Sequence, residues 1–239
     1  MNLFYAPDIA QTHSLPEEES QHCVKVLRMK AGDRIHIIDG VGGLYEAQIT
    51  EAHPKRTQVD ILNVQTEYGR RPFRLHLAVA PTKNIDRFEW FVEKATEIGF
   101  DELTPLCCRY SERKIIKPER IEKILVSAAK QSLKAYVPRL NAMMTFKDFM
   151  ANNSQLSNLD TQLFIAHCYD QPKQHLLHVC RPTGDVVVMV GPEGDFSEEE
   201  VELALRNSFR AVTLGDARLR TETAGVVACH LITIANIAK

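Results

Sequence analysis

The chain has 239 residues, which at roughly 150 per domain means one large domain or two smaller ones, with enough length to bury a sizeable core. Apolar residues make up 44% and charged residues 25%, ordinary globular usage that excludes a disordered or fibrous chain. Basic and acidic side chains, 29 against 31, nearly cancel, so only a local patch and not the overall field can attract nucleic acid.

The opening MNLFYAPDIA has no basic stretch followed by a long apolar run, and Pro7 and Asp8 interrupt it, so no secretory leader is expected. Pro16 is suited to start a short helical segment over 17–28. Apolar residues then alternate, predicting strands over 34–39, 44–50 and 57–62. Between the first two lies DGVGG, whose glycines supply positive φ for a hairpin connection. Residues 1–72 therefore read as a small all-β, barrel-like unit, ending at the connector Gly69-Arg70-Arg71-Pro72.

From 73 to 239 strands and helices alternate. A strand over 75–80 precedes Phe88, Phe91, Val92, Ala95 and Ile98 at helical spacing, and a strand over 102–107 follows. Pro118 opens a long helix whose apolar face is Ile121, Ile124, Leu125, Ala128 and Ser132. Strands are expected over 163–166 and 186–190. The second, VVVMV, has no polar alternation and so is covered on both faces. This pattern predicts an α/β domain, a parallel sheet with helices on both sides.

The strand over 186–190 runs into GPEGDFSEEE and a helix with Val201, Ala204, Leu205 and Phe209 on one face, its start marked by the capping box Ser197 and Glu200. Ligands of parallel sheets sit where such loops leave the carboxyl ends of strands. The loop fits neither G-x-G-x-x-G nor a P-loop, which disfavours NAD and ATP. Glu193, Asp195, Glu198, Glu199, Glu200 and Glu202 crowd the helix start, so a neutral or cationic ligand suits it better than a phosphate.

A strand over 211–214 leads to a second turn, Gly215-Asp216-Ala217-Arg218, and the two loops are expected to share one pocket. The final helix carries an apolar stripe of Ala224, Val227, Ala228, Leu231, Ile234, Ala235 and Ala238. Cys229, His230, Thr233 and Asn236 keep it well short of the roughly 18 apolar residues of a membrane span, so it reads as a buried helix. Arg218, Arg220, Thr221, Glu222 and Thr223 cluster at its start, either as a cap with a local ion pair or as site chemistry.

Six cysteines without a C-x-x-C pair read as reduced thiols. His22, His36, His76 and His230 lie at no metal-ligand spacing, so no metal is expected, and without G-x-S-x-G hydrolase chemistry has no support. Over 109–139 there are nine basic residues against three acidic ones, either a solvated helix face or an RNA-binding patch.

GPEGDFSEEEVELA with VTLGDARLRTETAGVVA resembles the signature of bacterial RsmE-type enzymes, small-subunit (16S) ribosomal RNA uridine-N3 methyltransferases of the SPOUT superfamily. HCVKVLRMKAGDRIHIIDGVGGLYEAQI resembles the family's PUA-like barrel, and KNIDRFEWFVEKATEIGFDELTPLCCRYSERK with AAKQSLKAYVP its central part, so the likeness spans nearly the whole chain. It implies a PUA-like domain over 1–72, and over 73–239 a methyltransferase domain with a deep trefoil knot, although general topology rules disfavour knots. It also implies a cytoplasmic homodimer that binds S-adenosylmethionine and acts on ribosomal RNA, free or within the assembled small subunit. Mapped here, the cofactor residues are His167, Gly191, Pro192, Glu193, Gly194, Leu214, Gly215, Leu219, Thr221, Thr223 and Ala224. Asp195 stands where a second glycine is usual, and AKQSLK has lysine where the family often has Glu and Arg.

Uridine N3 carries a proton between two carbonyls, so methylation needs a base and a cation for the charge that develops on the oxygens. Arg220 is the expected cation. The proton acceptor is left open between Glu193, Glu222 and water. Phosphate contacts are expected from Lys25, Arg28, Arg34, Lys83, Arg87, Arg109, Arg113, Lys134 and Arg139, positioning an unpaired or extruded base. The other readings are a methyltransferase of another RNA such as transfer RNA, and a noncatalytic RNA-binding protein, which would not bind S-adenosylmethionine.

Overall fold

A computed structural model describes residues 2–153 and 160–237, so Ala238 of the expected apolar stripe lies outside the described residues. The chain divides into two units.

The first unit takes in Met1–Arg70 and also Val126–Val137, a stretch that the periodicity alone assigns to the second. Its sheet runs β1 (Leu3–Tyr5), β2 (Arg34–Ile38), β3 (Leu44–Glu51), β4 (Gln58–Gln65), with β1 parallel to β2 and the remaining pairs antiparallel. Ile35, Ile37, Ala47 and Ile49 alternate inward and pack on Phe4, Ile9 and Val59, which gives the sheet one dry face. In the β2–β3 turn Gly40 and Gly42 have φ of +86° and +107°, and the Asp39 carboxylate accepts from the N–H groups of Val41 and Gly43.

The unit is not all-β. It includes α1 (Ile9–Thr12) and α2 (Glu17–Gln21), the latter continuing as a π-helical turn over His22–Val26. The helical segment expected over 17–28 thus stops at Val26, and Arg28 beyond it has a φ of +55°. Lys130 pairs with Glu19 at 2.5 Å, and Tyr136 packs against Gly42, which helps attach 126–137 to this unit.

The second unit is Arg71–Leu125 with Pro138–Lys239. In chain order it contains β5 (Leu75–Val79), α3 (Ile85–Ile98), β6 (Glu102–Cys107), the first half of α4 (Pro118–Gln131), β7 (Arg139–Leu140), β8 (Met144–Thr145) and α5 (Phe146–Asn153). There follow β9 (Gln162–Ala166), β10 (Gln174–His175), α6 (Leu176–Val179), β11 (Val186–Val190), α7 (Glu198–Arg206), β12 (Arg210–Thr213) and α8 (Thr221–Ile237). The sheet order is β10-β12-β9-β11-β5-β6-β7, with β8 on β6, and every pair is parallel. The pleat sends Ala78, Ile165, Val187 and Met189 into a core with Phe146, Phe149 and Met150 of α5 and Val201 and Ala204 of α7. Helix α8 lies on β5 and β11 and against α3, which makes the α/β character of this unit plain.

Two expected helix faces are corrected. Leu205 is 42% exposed, and α7 ends at Arg206, so Phe209 reaches the core from the following turn, its N–H on the Ala204 carbonyl. In α8 the buried set is Thr221, Glu222, Ala224, Gly225, Ala228, Cys229, Ile232 and Ala235, while Val227 and Leu231 are half-buried and Ile234 is exposed. The inward face is built largely from small residues, which an apolar stripe does not single out. At Gly225 a β-carbon would lie 2.5 Å from the Phe91 ring, so close helix approach, rather than bulk, selects that face. No helix among the described residues is long and apolar enough to cross a membrane.

Candidate active site

Three segments that leave strands converge at the carboxyl edge of the sheet: the loop after β11, the stretch after β9, and the loop from β12 into α8. They enclose a cavity of about 440 Å³ lined by Gly191, Pro192, Glu193, Asp195, Leu219, Arg220, Thr221 and Glu222, with Arg87 from α3. A second cavity, of about 300 Å³, is lined by His167, Lys173, Thr213, Leu214, Gly215, Asp216 and Ala217. Ala166, Cys168, Arg218, Leu219 and Ala224 line both, so the two adjoin. Their size suits a small-molecule ligand.

The geometry is locked by the chain itself. Thr221, buried at the start of α8, donates its hydroxyl to the Gly191 carbonyl at 3.0 Å, joining the two glycine loops directly. At Gly191 a β-carbon would lie 3.1 Å from the Phe196 ring and backbone nitrogen, tighter than ordinary contact, so glycine eases the close approach of Phe196. Asp195 adopts φ +64°, a conformation costly for most L-residues but tolerated by Asp, whose short side chain bonds locally. Its carboxylate accepts from the N–H of Cys168 at 2.7 Å and of Phe196 at 2.8 Å, which is how an aspartate holds this left-handed position. The Ser197 and Glu200 capping box is present.

The acidic crowding expected at this helix start is only partly a property of the cavity. Glu198, Glu199 and Glu202 do not line it, and Glu200 is taken up by the N–H groups of Ser197 and Arg109, each at 2.9 Å. The wall of the larger cavity carries three guanidinium groups, Arg87, Arg218 and Arg220, against the carboxylates of Glu193, Asp195 and Glu222. This balanced wall can take a zwitterionic ligand.

Of the three buried side-chain polar atoms without a partner among the described residues, two belong to residues lining these cavities: Glu222 Oε2 and His167 Nε2. Unpaired buried polar groups cost about 1–3 kcal/mol, so such atoms mark places where a ligand contributes. The other Glu222 oxygen faces Arg87 Nε at 3.9 Å. Lys173 donates to the carbonyls of His167 and Tyr169 and lies 3.4 Å from His167 Nδ1. An ammonium only donates, so Nδ1 is the acceptor and Nε2 carries the proton. Burial first, then the Lys173 charge, holds the His167 pKa below the usual imidazole value, against a smaller opposing pull from Asp195. Burial and then Asp195 raise the Cys168 thiol.

The expected site residues fall as follows. Gly191, Pro192, Glu193, Leu219, Arg220, Thr221, Glu222 and Ala224 line the larger cavity, and His167, Leu214 and Gly215 the smaller. Gly194 and Thr223 line neither. Arg220 is exposed and has no side-chain partner among the described residues, whereas Glu193 Oε1 accepts from the Lys83 N–H at 2.9 Å. Arg87, expected as a phosphate contact, belongs to the cavity wall. Arg113 is committed to the carbonyls of Thr82 and Lys83, and the Lys83 ammonium to Glu112. Arg109 and Arg139 are exposed in the second unit, and Lys25, Arg28 and Arg34 in the first, where Arg34 pairs with Glu46 and Lys134 is half-buried. Arg218, expected in the second turn of the shared pocket, lines both cavities, whereas sequence reasoning missed Cys168 and Lys173 as cavity residues. Cys168 was accessible from its place just past the end of β9, while Lys173 sits in a loop with no motif.

Residues 69–233 match the family model of an RNA methyltransferase domain, and residues 15–62 that of an RNA methyltransferase PUA domain. The ribosomal RNA small subunit methyltransferase E of Synechocystis sp. (strain ATCC 27184 / PCC 6803 / Kazusa) is 30% identical over 95% of this chain and 75% of its own length. This chain belongs to the ribosomal RNA small subunit methyltransferase E family. A probable rRNA-methyltransferase from Porphyromonas gingivalis has the same fold, with a TM-score of 0.92 at 40% identity over 100% of this chain and 99% of that one. A methyltransferase E from Neisseria gonorrhoeae, solved with S-adenosyl methionine bound, aligns with a TM-score of 0.85 at 29% identity over 99% of this chain and 98% of its own. The 15–62 match gives this chain an N-terminal PUA domain, inside the first unit.

Proposed function

We propose that this chain uses S-adenosylmethionine to methylate N3 of a uridine in small-subunit ribosomal RNA. The observation that carries the reading is the cavity where the two glycine loops meet, with a Glu222 oxygen that has no partner among the described residues and three exposed arginines in the wall. Family membership and a relative with the same methyl donor bound support it. The Gly191 and Leu219–Ala224 segments and the His167 to Gly215 side would hold the donor. The balanced wall suits its charges, and the glycine loop backbone suits its adenine.

When bound, S-adenosylmethionine supplies an electrophilic methyl group on a sulfonium. The S–CH3 bond breaks as the N3–CH3 bond forms, the donor leaves as a neutral thioether, and the N3 proton must go to a base. Between the two glutamates, Glu222 suits that role, because Glu193 is held by the Lys83 N–H while Glu222 is buried with an open oxygen. Arg220, at the cavity wall and without a side-chain partner among the described residues, stabilises the charge spreading onto the uracil oxygens.

The same reading includes the SPOUT superfamily, the deep trefoil knot and a homodimer. Placement of β11 between β9 and β5, so that later strands enter between earlier ones, is compatible with a threaded carboxyl end. The outward apolar residues Ile234 and Ile237 near the end of α8 support a dimer face there. RNA is held by the exposed cations, among them Lys25 and Arg28, and the ribosomal substrate places the work in the cytoplasm. Mass-spectrometric mapping of small-subunit RNA from cells lacking this protein tests the function: loss of an N3-methyluridine is expected, and retention of every such mark sinks it.

A further inference from the structure

Gly194 belongs to the glycine loop but touches neither cavity; what it touches is Tyr110. A β-carbon at position 194 would lie 2.9 Å from the Tyr110 β-carbon and 3.5 Å from its Cγ, so the glycine makes room for the root of that side chain. The backbone around Tyr110 is held on both sides. The Cys108 N–H donates to the Ser111 hydroxyl at 3.0 Å, the Ser111 N–H returns to the Cys108 carbonyl at 3.1 Å, and the Arg109 N–H reaches Glu200 Oε1 at 2.9 Å. Yet the tyrosine itself is 51% exposed. A rigidly rooted aromatic side chain that the fold leaves half uncovered sits against the residue between Glu193 and Asp195, both of which line the larger cavity.

Uridine N3 lies on the Watson–Crick edge, so a base methylated there must be unpaired and turned out of its stack, and extruded bases are received on aromatic faces. Among the described residues the other exposed aromatic of the second unit is Trp90, on α3 one turn beyond Arg87, but the residue that the glycine loop meets, at Gly194, is Tyr110. Arg109, next to Tyr110, is exposed and has no side-chain partner among the described residues, whereas Arg113 is consumed by two carbonyls. We infer that Tyr110 is the stacking platform for the target base at the mouth of the cofactor cavity, with Arg109 on a flanking phosphate. This rests on the RNA-methylating reading above, and it makes Tyr110 a positioning residue that fixes where N3 lies without taking part in the chemistry.

The test compares the full-length protein with Tyr110→Phe, Tyr110→Leu and Tyr110→Gln, using small ribosomal subunits and 16S ribosomal RNA as substrates and radiolabelled S-adenosylmethionine. Base stacking on an aromatic ring is worth enough that its loss is expected to raise KM for RNA about tenfold or more in the Leu and Gln variants. The Phe variant, which keeps the ring, is expected to stay within about twofold of the unaltered protein. S-adenosylmethionine affinity by calorimetry and the thermal midpoint are expected to be the same in all four. Leu and Gln variants with unchanged KM overturn the inference, and so does a loss confined to cofactor affinity or thermal stability, which would make the ring merely structural. If the unaltered protein binds S-adenosylmethionine but methylates neither substrate, the reading it rests on falls with it.

Discussion

The hydroxyl of Thr221 and the carbonyl of Gly191, 30 residues apart, form a buried hydrogen bond of 3.0 Å that ties the start of α8 to the loop after β11. Both residues line the larger cavity, so the bond sets the width of the binding site as well as the packing of the helix. Replacing Thr221 by Val keeps the shape and leaves the Gly191 carbonyl without its donor, at a cost of about 1–3 kcal/mol. Denaturant unfolding is expected to register that loss, and calorimetry a weaker S-adenosylmethionine affinity, with Thr221→Ser recovering both. Unchanged stability and affinity in the Val variant would separate the two loops energetically.

Gly225 makes a second prediction. It lies where α8 presses on Phe91 of α3, and a methyl group added there would sit 2.5 Å from one ring carbon and 2.7 Å from the next. Alanine is the better helix former, by roughly 1 kcal/mol in an open position. Here overpacking opposes that gain, at a cost of about 1–3 kcal/mol. Gly225→Ala is therefore expected to be neutral to destabilising, and Gly225→Val more strongly destabilising, as read by the thermal midpoint. A clear gain in stability with Ala would mean that α3 and α8 separate freely.

What the sequence makes legible depends on how local the cause is. The strand over 186–190, the capping box at Ser197 and Glu200, and the hairpin glycines were readable because neighbours a few residues apart decide them. The buried face of α8 was not, since its small residues matter only once Phe91 is brought against Gly225 by the fold. The addition of 126–137 to the first unit was hidden for the same reason, the partners Glu19 and Gly42 being about a hundred residues away. In the site, the glycine loops announced themselves by motif, but the αL backbone of Asp195 and the Lys173 contact with His167 depend on bonds that no spacing reveals.

Two histidines make stability depend on pH. Burial, as the leading cause, lowers the pKa of both His76 and His167 in the folded chain; Glu102 opposes it at His76 and Asp195 at His167. The folded state thus prefers the neutral imidazoles, while the unfolded chain takes up protons below about pH 6.5. Their contribution is level above that pH and is lost as pH falls from about 6.5 through the lower folded values, by at most about 1.4 kcal/mol per pH unit for each histidine. Urea unfolding from pH 7.5 down to 5 is expected to lose part of its slope against pH in His167→Gln, and part again in His76→Gln. If either variant steepens the slope, the sign assigned to that histidine is wrong.

Arg220, Glu222 and Glu193 can be told apart by kinetics. Removing a charge-stabilising group from a water-poor site commonly lowers kcat by about 10²–10³. Arg220→Ala is expected in that range, and a loss confined to S-adenosylmethionine affinity would make Arg220 part of the hold on the donor and not the charge stabiliser. A lost general base lowers the rate by about 10²–10⁴, which is the expectation for Glu222→Gln. Glu193→Gln is expected to keep kcat within a few-fold, since one Glu193 oxygen accepts from the Lys83 backbone and the amide oxygen of glutamine can accept there too. Single-turnover methylation of small-subunit RNA measures all three. The assignment of the base reverses if the Glu193 variant loses the rate while the Glu222 variant keeps it. If both keep it, the proton goes to water and the buried Glu222 carboxylate serves the cavity only as a charge facing Arg87 at 3.9 Å.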